Sequence, residues 1–600
     1  MEKTIRVIER GLELLAALVL AALLTVVSYS VCRRYLGFGG ADGADELATW
    51  LYIHIIFIGF PLAAESALSM RLDFLVRKLR GLPLAAAELL SHAIVIHASL
   101  FLISAGLVVM SKLTGASMLL GWPEWCRFAP APAAGALSCL LTLLRLAASG
   151  RRPVFIVTSL ALGTLFFLFG RYGALPFGLM PSATASIIGL AGLFLGAPLP
   201  HALLSALALS IPFGSLLPEA AILQNTVVGA SSFLLLAIPF FLLAGGLISS
   251  TSLAEKLVAF ADALIGHLRG GLGYTALLSN LFFSGISGSS VADVAFGVKV
   301  LGPGLKERGY TPERTAAIIA ATAMLPNIVP PSVAFLMLAA ATDLSVKSLF
   351  MGGLAGGLAL ALAFAVALRH ISSEQGRARP APLREKARTF VAALPVLGLI
   401  VIILLGIRMG LVTTTEASAL AALYSLAIAA SWLRRRREHP RLLLQAFVLA
   451  GRETSAIGLL IGTSAPFVFI LAQDQAPAAI ASYMSALGNG PFAFLLLANL
   501  ALILFGLCLE VGVGIMLLAP LLMPVAVQAG VDPIHFGVIM VMNLMLGSLT
   551  PPVGLLVFMA AGLSGVEADK VFRAALPLMG AALATLLALS VFAGFSAIYG

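Results

Sequence analysis

Paired prolines inside apolar sequence constrain this chain most. MLPNIVPPSVAFLML runs from Met324 to Leu338, and MLGSLTPPVGLLVFM follows 221 residues later, from Met545 to Met559. Proline lacks a backbone donor and its ring clashes with the preceding turn, so Pro330-Pro331 and Pro551-Pro552 each break a helix at a fixed point. With 60% hydrophobic and 11% charged residues among 600, a soluble fold could not cover its own surface. Apolar blocks of roughly 20 residues, enough to cross a hydrocarbon core of about 30 Å, recur along the whole chain. They amount to about 14 to 16 spanning or re-entrant segments, and blocks such as Leu14 to Val27 are apolar all round rather than alternating. The expected class is an all-α polytopic membrane protein.

The first block follows Lys3, Arg6 and Arg10 without a small-residue cleavage site and reads as a retained anchor. Cys32, Cys126, Cys139 and Cys508 lie too far apart for a CxxC or zinc pattern. The net charge of +10 does not point to nucleic acid, because the Lys and Arg sit in short loops between apolar blocks, where they set orientation. With the N-terminus inside, the basic clusters at Arg71 to Arg80, Arg145 to Arg152, Arg369 to Arg388 and Arg434 to Arg441 fall on one face if the intervening segments cross an even number of times. Arg33-Arg34, offset in part by Asp42, Asp45 and Glu46, is the exception.

Aligned at an offset of 221, residues 285–341 and 506–562 share 12 identities over 57 positions without a gap. Among them are Pro303/Pro524, Gly309/Gly530, Pro312/Pro533 and both Pro-Pro pairs. The region from 181 onward is therefore a duplicated unit. In the first copy, Lys299 to Arg314 carries four basic residues, whereas the matching Pro520 to His535 carries no Lys or Arg. By the positive-inside rule the first loop is cytoplasmic and the second external, so the copies are inverted. Inverted repeats with interrupted helices at matching positions are the sequence mark of a secondary transporter with its site near the bilayer midplane.

A second irregular stretch precedes each Pro-Pro helix, FFSGISGSSVAD (Phe282 to Asp293) and FGLCLEVGVGIM (Phe505 to Met516). Flanking apolar arms of about 12 to 15 residues suit a re-entrant hairpin better than a full crossing. Two hairpin tips facing two broken helices would offer carbonyls and hydroxyls, from Ser287, Ser289, Ser290, Ser548 and Thr550, to Na⁺, and helix N-termini to a carboxylate. Glu510 and Asp293, as ionisable groups beside the tips, are functional candidates or half-helix caps. Asn327 and Asn543 read equally as ligands or as interhelical bonds. His92 and His97 have no cysteine near them in sequence and read as packing, as do Met324, Met337, Met545 and Met559.

GISGSSVAD, the pair NIVPPS and SLTPPVG, and GLVTTTEASALAALY (Gly410 to Tyr424) resemble the large membrane subunit of tripartite ATP-independent periplasmic (TRAP) transporters. Residues 1–150 resemble that family's small four-helix membrane subunit. The resemblance implies a fused permease: a scaffold over 1–150, a joining helix and linker over 151–180, a first transport repeat over 181–388 and a second, inverted one over 389–600. It implies an elevator-type, Na⁺-driven uptake of small organic acids delivered by a periplasmic solute-binding protein, in a bacterial inner membrane, with no enzymatic activity. Carried over residue by residue, Ser287, Gly288, Ser289 and Ser290 form the first tip, facing Asn327, Pro330, Pro331 and Ser332. Glu510 and Gly512 form the second, facing Asn543, Ser548, Thr550, Pro551, Pro552 and Gly554. Na⁺ would lie near Ser289, Asn327, Glu510 and Thr550. Met545 departs from the family, which often has an acidic residue there. The competing reading is a stand-alone ion/dicarboxylate symporter or ion antiporter that needs no binding protein. HExxH, Gly-x-Ser-x-Gly and phosphate-loop patterns, which would point to an enzyme, do not occur.

The charge difference between matched loops gives a direct test. Single cysteines at Lys306 and at Asp532, in a background with the four native cysteines replaced by serine, should react with an impermeant reagent from opposite faces. Labelling of both from one face would remove the inversion and the transport reading built on it.

Overall fold

A computed structural model describes residues 1–37, 43–64, 76, 78–173, 180–215, 217–268, 270–287, 289–371, 380–436, 440–487 and 490–599. The basic cluster at Arg71 to Arg80 and the predicted tip residue Gly288 lie wholly or largely outside them, as does the side chain of Ser287. Among the described residues the chain is helical throughout, with a single isolated bridge between Ala116 and Pro123 and no strand. It has 11 helices long and apolar enough to cross a membrane, up to 13 counting two bent pairs, and several shorter apolar helices besides.

The chain divides into two compact units, Met1–Pro239 with Phe447–Ala479, and Phe240–Ala446 with Ile480–Gly600. The first contains α1 (Glu2–Tyr35), α2 (Ala44–Ala63), α3 (Leu82–Lys112), α4 (Pro130–Ala148), α5 (Pro153–Tyr172), α6 (Pro181–Phe194), α7 (Leu199–Ser210) and α8 (Glu219–Gly229). Helix α1 packs on α2, and α3 packs on both α4 and α5. Glycines let these backbones approach: a Cβ on Gly135 would lie 2.5 Å from the Ser99 carbonyl oxygen, and one on Gly163 would lie 2.8 Å from Ile96.

Every residue of α7 is buried, and its polar residues form a seam with the preceding helices. His97 Nδ1 on α3 meets Ser205 Oγ on α7 at 2.5 Å. Ser99 donates to Ser138 Oγ on α4 at 3.0 Å, and Ser138 reaches His201 Nε2 on α7 at 3.5 Å. His201 in turn stacks on Phe60 of α2 with ring centroids 4.0 Å apart. The packing role expected for His97 thus comes with a specific hydrogen bond, because a polar ring far from water needs a partner.

The second unit contains most of α9 (Ala237–Ser249), then α10 (Leu253–Ile265), α11 (Gly271–Ser287), α12 (Ser290–Glu307), α13 (Pro312–Thr322), the single turn α14 (Leu325–Ile328), α15 (Val333–Thr342) and α16 (Val346–Ile371). After α17 (Leu383–Arg408) and α18 (Thr414–Arg436), the long α19 (Arg441–Gln473) belongs to the first unit from Phe447 onward, and α20 (Ala476–Leu487) returns to the second unit at Ile480. The second unit continues with α21 (Pro491–Cys508), α22 (Val511–Gln528), α23 (Pro533–Gly547), α24 (Leu555–Ser564) and α25 (Ala568–Tyr599).

The duplication reappears in these boundaries. Helices α12 and α22 coincide end to end at the offset of 221, α11 and α21 end at matching residues, and α13 and α23 begin at matching prolines. Gly309 and Gly530 close α12 and α22 at φ of 86° and 83°, a left-handed turn that glycine adopts without steric cost. The packing between copies is reciprocal, with α15 lying on α22 and its counterpart α24 lying on α12.

The seam of α7 can be tested by calorimetry. Ser205→Ala leaves the buried His97 ring without its hydroxyl, which should cost about 1–3 kcal/mol of stability. Adding His97→Leu should recover part of the loss, since removing both partners of a buried bond is milder than removing one. An unchanged melting point in Ser205→Ala would exclude a structural role for the bond.

Candidate functional site

Each copy contributes a helix pair joined by a short tip and a helix interrupted at its prolines. The arms of the pairs are 17 residues in α11 and 18 in α12, α21 and α22. They are longer than the 12 to 15 expected, because the Gly and Ser residues near the tips remain in helix. At 1.5 Å per residue each arm extends roughly 26–27 Å.

Serine and glutamate occupy equivalent places at the two tips. Ser289 is the N-cap of α12, its Oγ accepting from Ala292 N at 3.4 Å. Its counterpart Glu510 is the N-cap of α22 but makes no side-chain cap bond. Glu510 Oε2 is buried with no hydrogen-bond partner among the described residues, and a Cβ on Gly512 would lie 3.2 Å from it and 2.9 Å from Met337 Cε. A carboxylate at a helix N-terminus is favoured by the helix dipole. Asp293, 1% exposed, lies in the first turn of α12.

The breaks differ in construction. In the first, Pro326 stands in the opening turn of α14, a position that proline tolerates, so one extra helical turn precedes the break at residues 329–332. The two sides are bent by 42°. Ser332 then caps α15, accepting from Phe335 N at 3.3 Å while donating to the Asn327 carbonyl at 2.6 Å. In the second copy the break runs over residues 548–554. Thr550 donates to the Leu546 carbonyl at 2.8 Å, and Gly554 caps α24 at φ 28°. A Cβ on Gly554 would lie 2.6 Å from Phe572. The Pro330–Pro331 and Pro551–Pro552 peptide bonds are both cis.

Among the predicted residues, the structure joins Asn327 to the first tip, its Nδ2 donating to Ser290 Oγ at 2.9 Å. The same amide reaches Met545 Sδ at 3.3 Å, so the first break touches the second copy. No hydrogen bond links Asn327 to Glu510 or Thr550 among the described residues. Asn543 is an interhelical bond: its Nδ2 donates to Asn499 Oδ1 at 2.7 Å, Asn499 donates to Ser590 at 2.9 Å, and Ser590 donates to the Leu586 carbonyl at 2.9 Å. Thr322, the counterpart of Asn543, accepts from Asn280 Nδ2 at 2.6 Å. Sequence reasoning missed Asn280, Asn499 and Ser590. Their signal was a polar residue two turns or more inside an apolar arm, where it needs a partner.

At their closest approach helices α21 and α23 meet glycine to glycine: a Cβ on Gly547 would fall 2.6 Å from Gly506 Cα and 2.4 Å from its carbonyl carbon. The oxygens at the tips and breaks, with four helix N-termini at Ser289, Ser332, Glu510 and Gly554, are of the kind that could hold a hard cation and a small anion.

The fold and these breaks define a multi-pass helical membrane protein built on an internal duplication. Residues 187–595 match the family described as the tripartite ATP-independent periplasmic transporter, DctM component, and residues 23–152 match its DctQ component. The chain belongs to the TRAP transporter permeases, with both components fused in one polypeptide. The isethionate TRAP transporter permease protein DctMQ of Oleidesulfovibrio alaskensis is 30% identical over 597 residues, covering 94% of this chain and 91% of its own. The C4-dicarboxylate TRAP transporter large permease protein DctM of Pseudomonas aeruginosa is 39% identical over 351 residues, 58% of this chain and 81% of its own. Among solved structures, the Alcanivorax borkumensis YdaH transporter aligns with a TM-score of 0.45 at 14% identity, over 63% of this chain and 87% of that one.

Two glycines should answer oppositely to alanine. Gly547→Ala should destabilise the solubilised protein by about 1–3 kcal/mol, since the contact is backbone and cannot swing away. Gly562→Ala, with nothing within 4 Å of its Cβ, should be neutral or stabilising by up to about 1 kcal/mol. Equal effects in thermal unfolding would contradict the α21–α23 crossing.

Proposed function

We propose that this chain is the membrane permease of a secondary active transporter that takes up small organic anions, carboxylates or sulfonates, by coupling to Na⁺. The single observation that carries the reading is the reciprocal packing of each broken helix on the other copy's hairpin arm, all within one compact unit. An exchange in which α15 meets α22 and α24 meets α12 is the pattern of a two-fold relation, in which matching surfaces trade partners. Combined with four basic residues in the loop of one copy and none in the other, it supports an inverted pair and a site near the midplane. The whole site then travels with its unit, as an elevator mechanism requires.

The coupling ion is bound by oxygens that the fold leaves available. Thr550 and Ser332 give their protons to backbone carbonyls, so each oxygen keeps acceptor capacity for a hard cation, Ser332 sharing its own with Phe335 N. Glu510 adds a negative charge at the second tip, and Ser289 and Asn327 complete the first. Met545, beside Asn327, adds no charge on that side.

The segments at mid-membrane, residues 284–293, 324–333, 507–516 and 545–554, contain no Lys or Arg. Without a bidentate arginine clamp an organic acid is held weakly, which eases release but makes capture from dilute solution inefficient. A periplasmic substrate-binding protein that docks and raises the local concentration resolves that difficulty. The DctMQ and DctM relatives carry isethionate and C4-dicarboxylates in their names, consistent with a site that reads small size and negative charge. The inner membrane of a bacterium is the location this reading requires.

Two measurements test it. Ser289→Ala or Thr550→Ala should raise the Na⁺ concentration for half-maximal uptake about tenfold, the loss of roughly 1.4 kcal/mol of ligand binding, with little change in melting temperature. Uptake driven equally by a proton gradient without Na⁺ would contradict sodium coupling. In proteoliposomes under an inward Na⁺ gradient, uptake from micromolar substrate should depend on the cognate binding protein. Equal rates without it would favour a stand-alone symporter.

A further inference from the structure

The first unit holds a cavity of about 310 Å³ lined by Glu88, Ser91 and His92 of α3, Arg145 and Ser149 at the end of α4, and Arg151 just before α5. The turn between α6 and α7 forms its remaining wall through Leu195 and Gly196, and the latter packs on Val76. That volume is at the lower end of ligand-binding pockets. The cavity sits where Arg145, Arg151 and Arg152 gather, the end that the positive-inside rule assigns to the cytoplasmic headgroup layer. Basic pockets between helices at that level suit lipid headgroups.

Its charges are not those of a simple anion site. Arg145, with a side chain only 10% exposed, is paired with Glu9 at 2.5 Å, and Arg151 is paired with Glu88, which itself lines the cavity. A purely anionic guest at Arg151 would meet the Glu88 carboxylate beside it. A guest carrying both a phosphate and an ammonium would satisfy both: phosphate on the guanidinium, ammonium on the carboxylate. A primary ammonium donates hydrogen bonds to a carboxylate, whereas a quaternary one cannot. Next to the cavity, α5 presents an apolar outer face, with Val154 73% and Val157 64% exposed and only Ser159, Gly163 and Gly170 of the helix buried. Acyl chains hanging from a headgroup at Arg151 would lie along that face.

We propose that this cavity binds the headgroup of a phospholipid of the phosphatidylethanolamine type, with Arg151 taking the phosphate and Glu88 the ammonium. The bound lipid bridges α3, α4 and α5 to the α6–α7 turn. The same chemistry occurs in soluble O-phosphoethanolamine, so the experiment separates the two sources.

The full chain is reconstituted in nanodiscs of phosphatidylethanolamine, phosphatidylglycerol and phosphatidylcholine mixed equally, extracted into detergent, and its retained lipid counted by native mass spectrometry. Wild type should retain phosphatidylethanolamine about tenfold over either competitor, a preference of roughly 1.4 kcal/mol. Glu88→Gln removes the ammonium's partner and should shift retention to phosphatidylglycerol, while Arg151→Gln should lower retention of both. Retention of all three in proportion to their supply by wild type would overturn the proposal, as would an unchanged preference in a Glu88→Gln protein that remains monodisperse. Should either variant fail to fold, wild type still decides: displacement of the retained lipid by millimolar O-phosphoethanolamine but not by inorganic phosphate supports the paired recognition. Binding of soluble O-phosphoethanolamine by a protein that retains no lipid would overturn the lipid assignment.

Discussion

Open backbone cannot face hydrocarbon. Each interrupted helix in a membrane leaves several N–H and C=O groups without intrahelical partners, at a cost of several kcal/mol per unsatisfied group. The breaks at residues 329–332 and 548–554 therefore need protein around them, and the duplication supplies it. The second half of each broken helix lies against the other copy's hairpin arm, so neither break could be covered by its own repeat alone. Local caps satisfy part of the remainder: Ser332 bonds both Phe335 N and the Asn327 carbonyl, and Thr550 bonds the Leu546 carbonyl.

Within the symmetric frame the two copies differ in where they place charge and polar bonds. The first tip closes with a neutral hydroxyl cap at Ser289, the second with the carboxylate of Glu510. Behind the first tip, one polar bridge from Asn280 to Thr322 ties arm to broken helix. Behind the second, a three-link donor chain from Asn543 through Asn499 to Ser590 ties together α23, α21 and α25, beside the glycine-to-glycine approach of α21 and α23. The second copy thus has the longer polar chain, while each tip has one acidic residue at a different place: Glu510 at the cap of α22 and Asp293 in the first turn of α12. A permease that must distinguish outward from inward release gains from such inequality, since identical halves would bind the same ion equally from both sides.

Much of this was legible in the residues because the strongest signals are covalent. Pro330-Pro331 and Pro551-Pro552 stop helices whatever surrounds them, and the offset of 221 that they set predicts the ends of α11, α12, α21 and α22. Signals that depend on partners were less legible. Gly285 and Ser287 read as an interruption but remain helical, as small residues commonly do where helices pack closely in membranes. Pro326, in the same apolar run as Pro330-Pro331, does not stop the helix but begins another turn of it. Asn543 read equally as a ligand or as a bond between helices, and its Nδ2 partner, Asn499 at 2.7 Å, lies 44 residues away in sequence. His97 offered no signal, because its partner Ser205 is 108 residues distant.

That long-range bond bears on how a fused permease differs from one assembled from two chains. The match to the DctQ component ends at residue 152 and the match to DctM begins at 187, so α5 is the covalent connection between them. Yet α5 buries only three of its residues, whereas α7, from the DctM portion, is buried along its entire length and carries His201 and Ser205 into the seam with α2, α3 and α4. The two portions are held together by α7 and also by α19, which packs on α1 and α2 through Gly451, Gly458 and the Arg452–Glu13 pair, and by α8, whose Glu219 accepts from Ser104 of α3. The linking helix adds effective concentration, converting a bimolecular encounter into an intramolecular one without adding much interface. Buried hydroxyl–imidazole pairs then fix the register of that encounter, because a shift of one residue along α7 would leave His97 and His201 as polar rings facing hydrocarbon without partners.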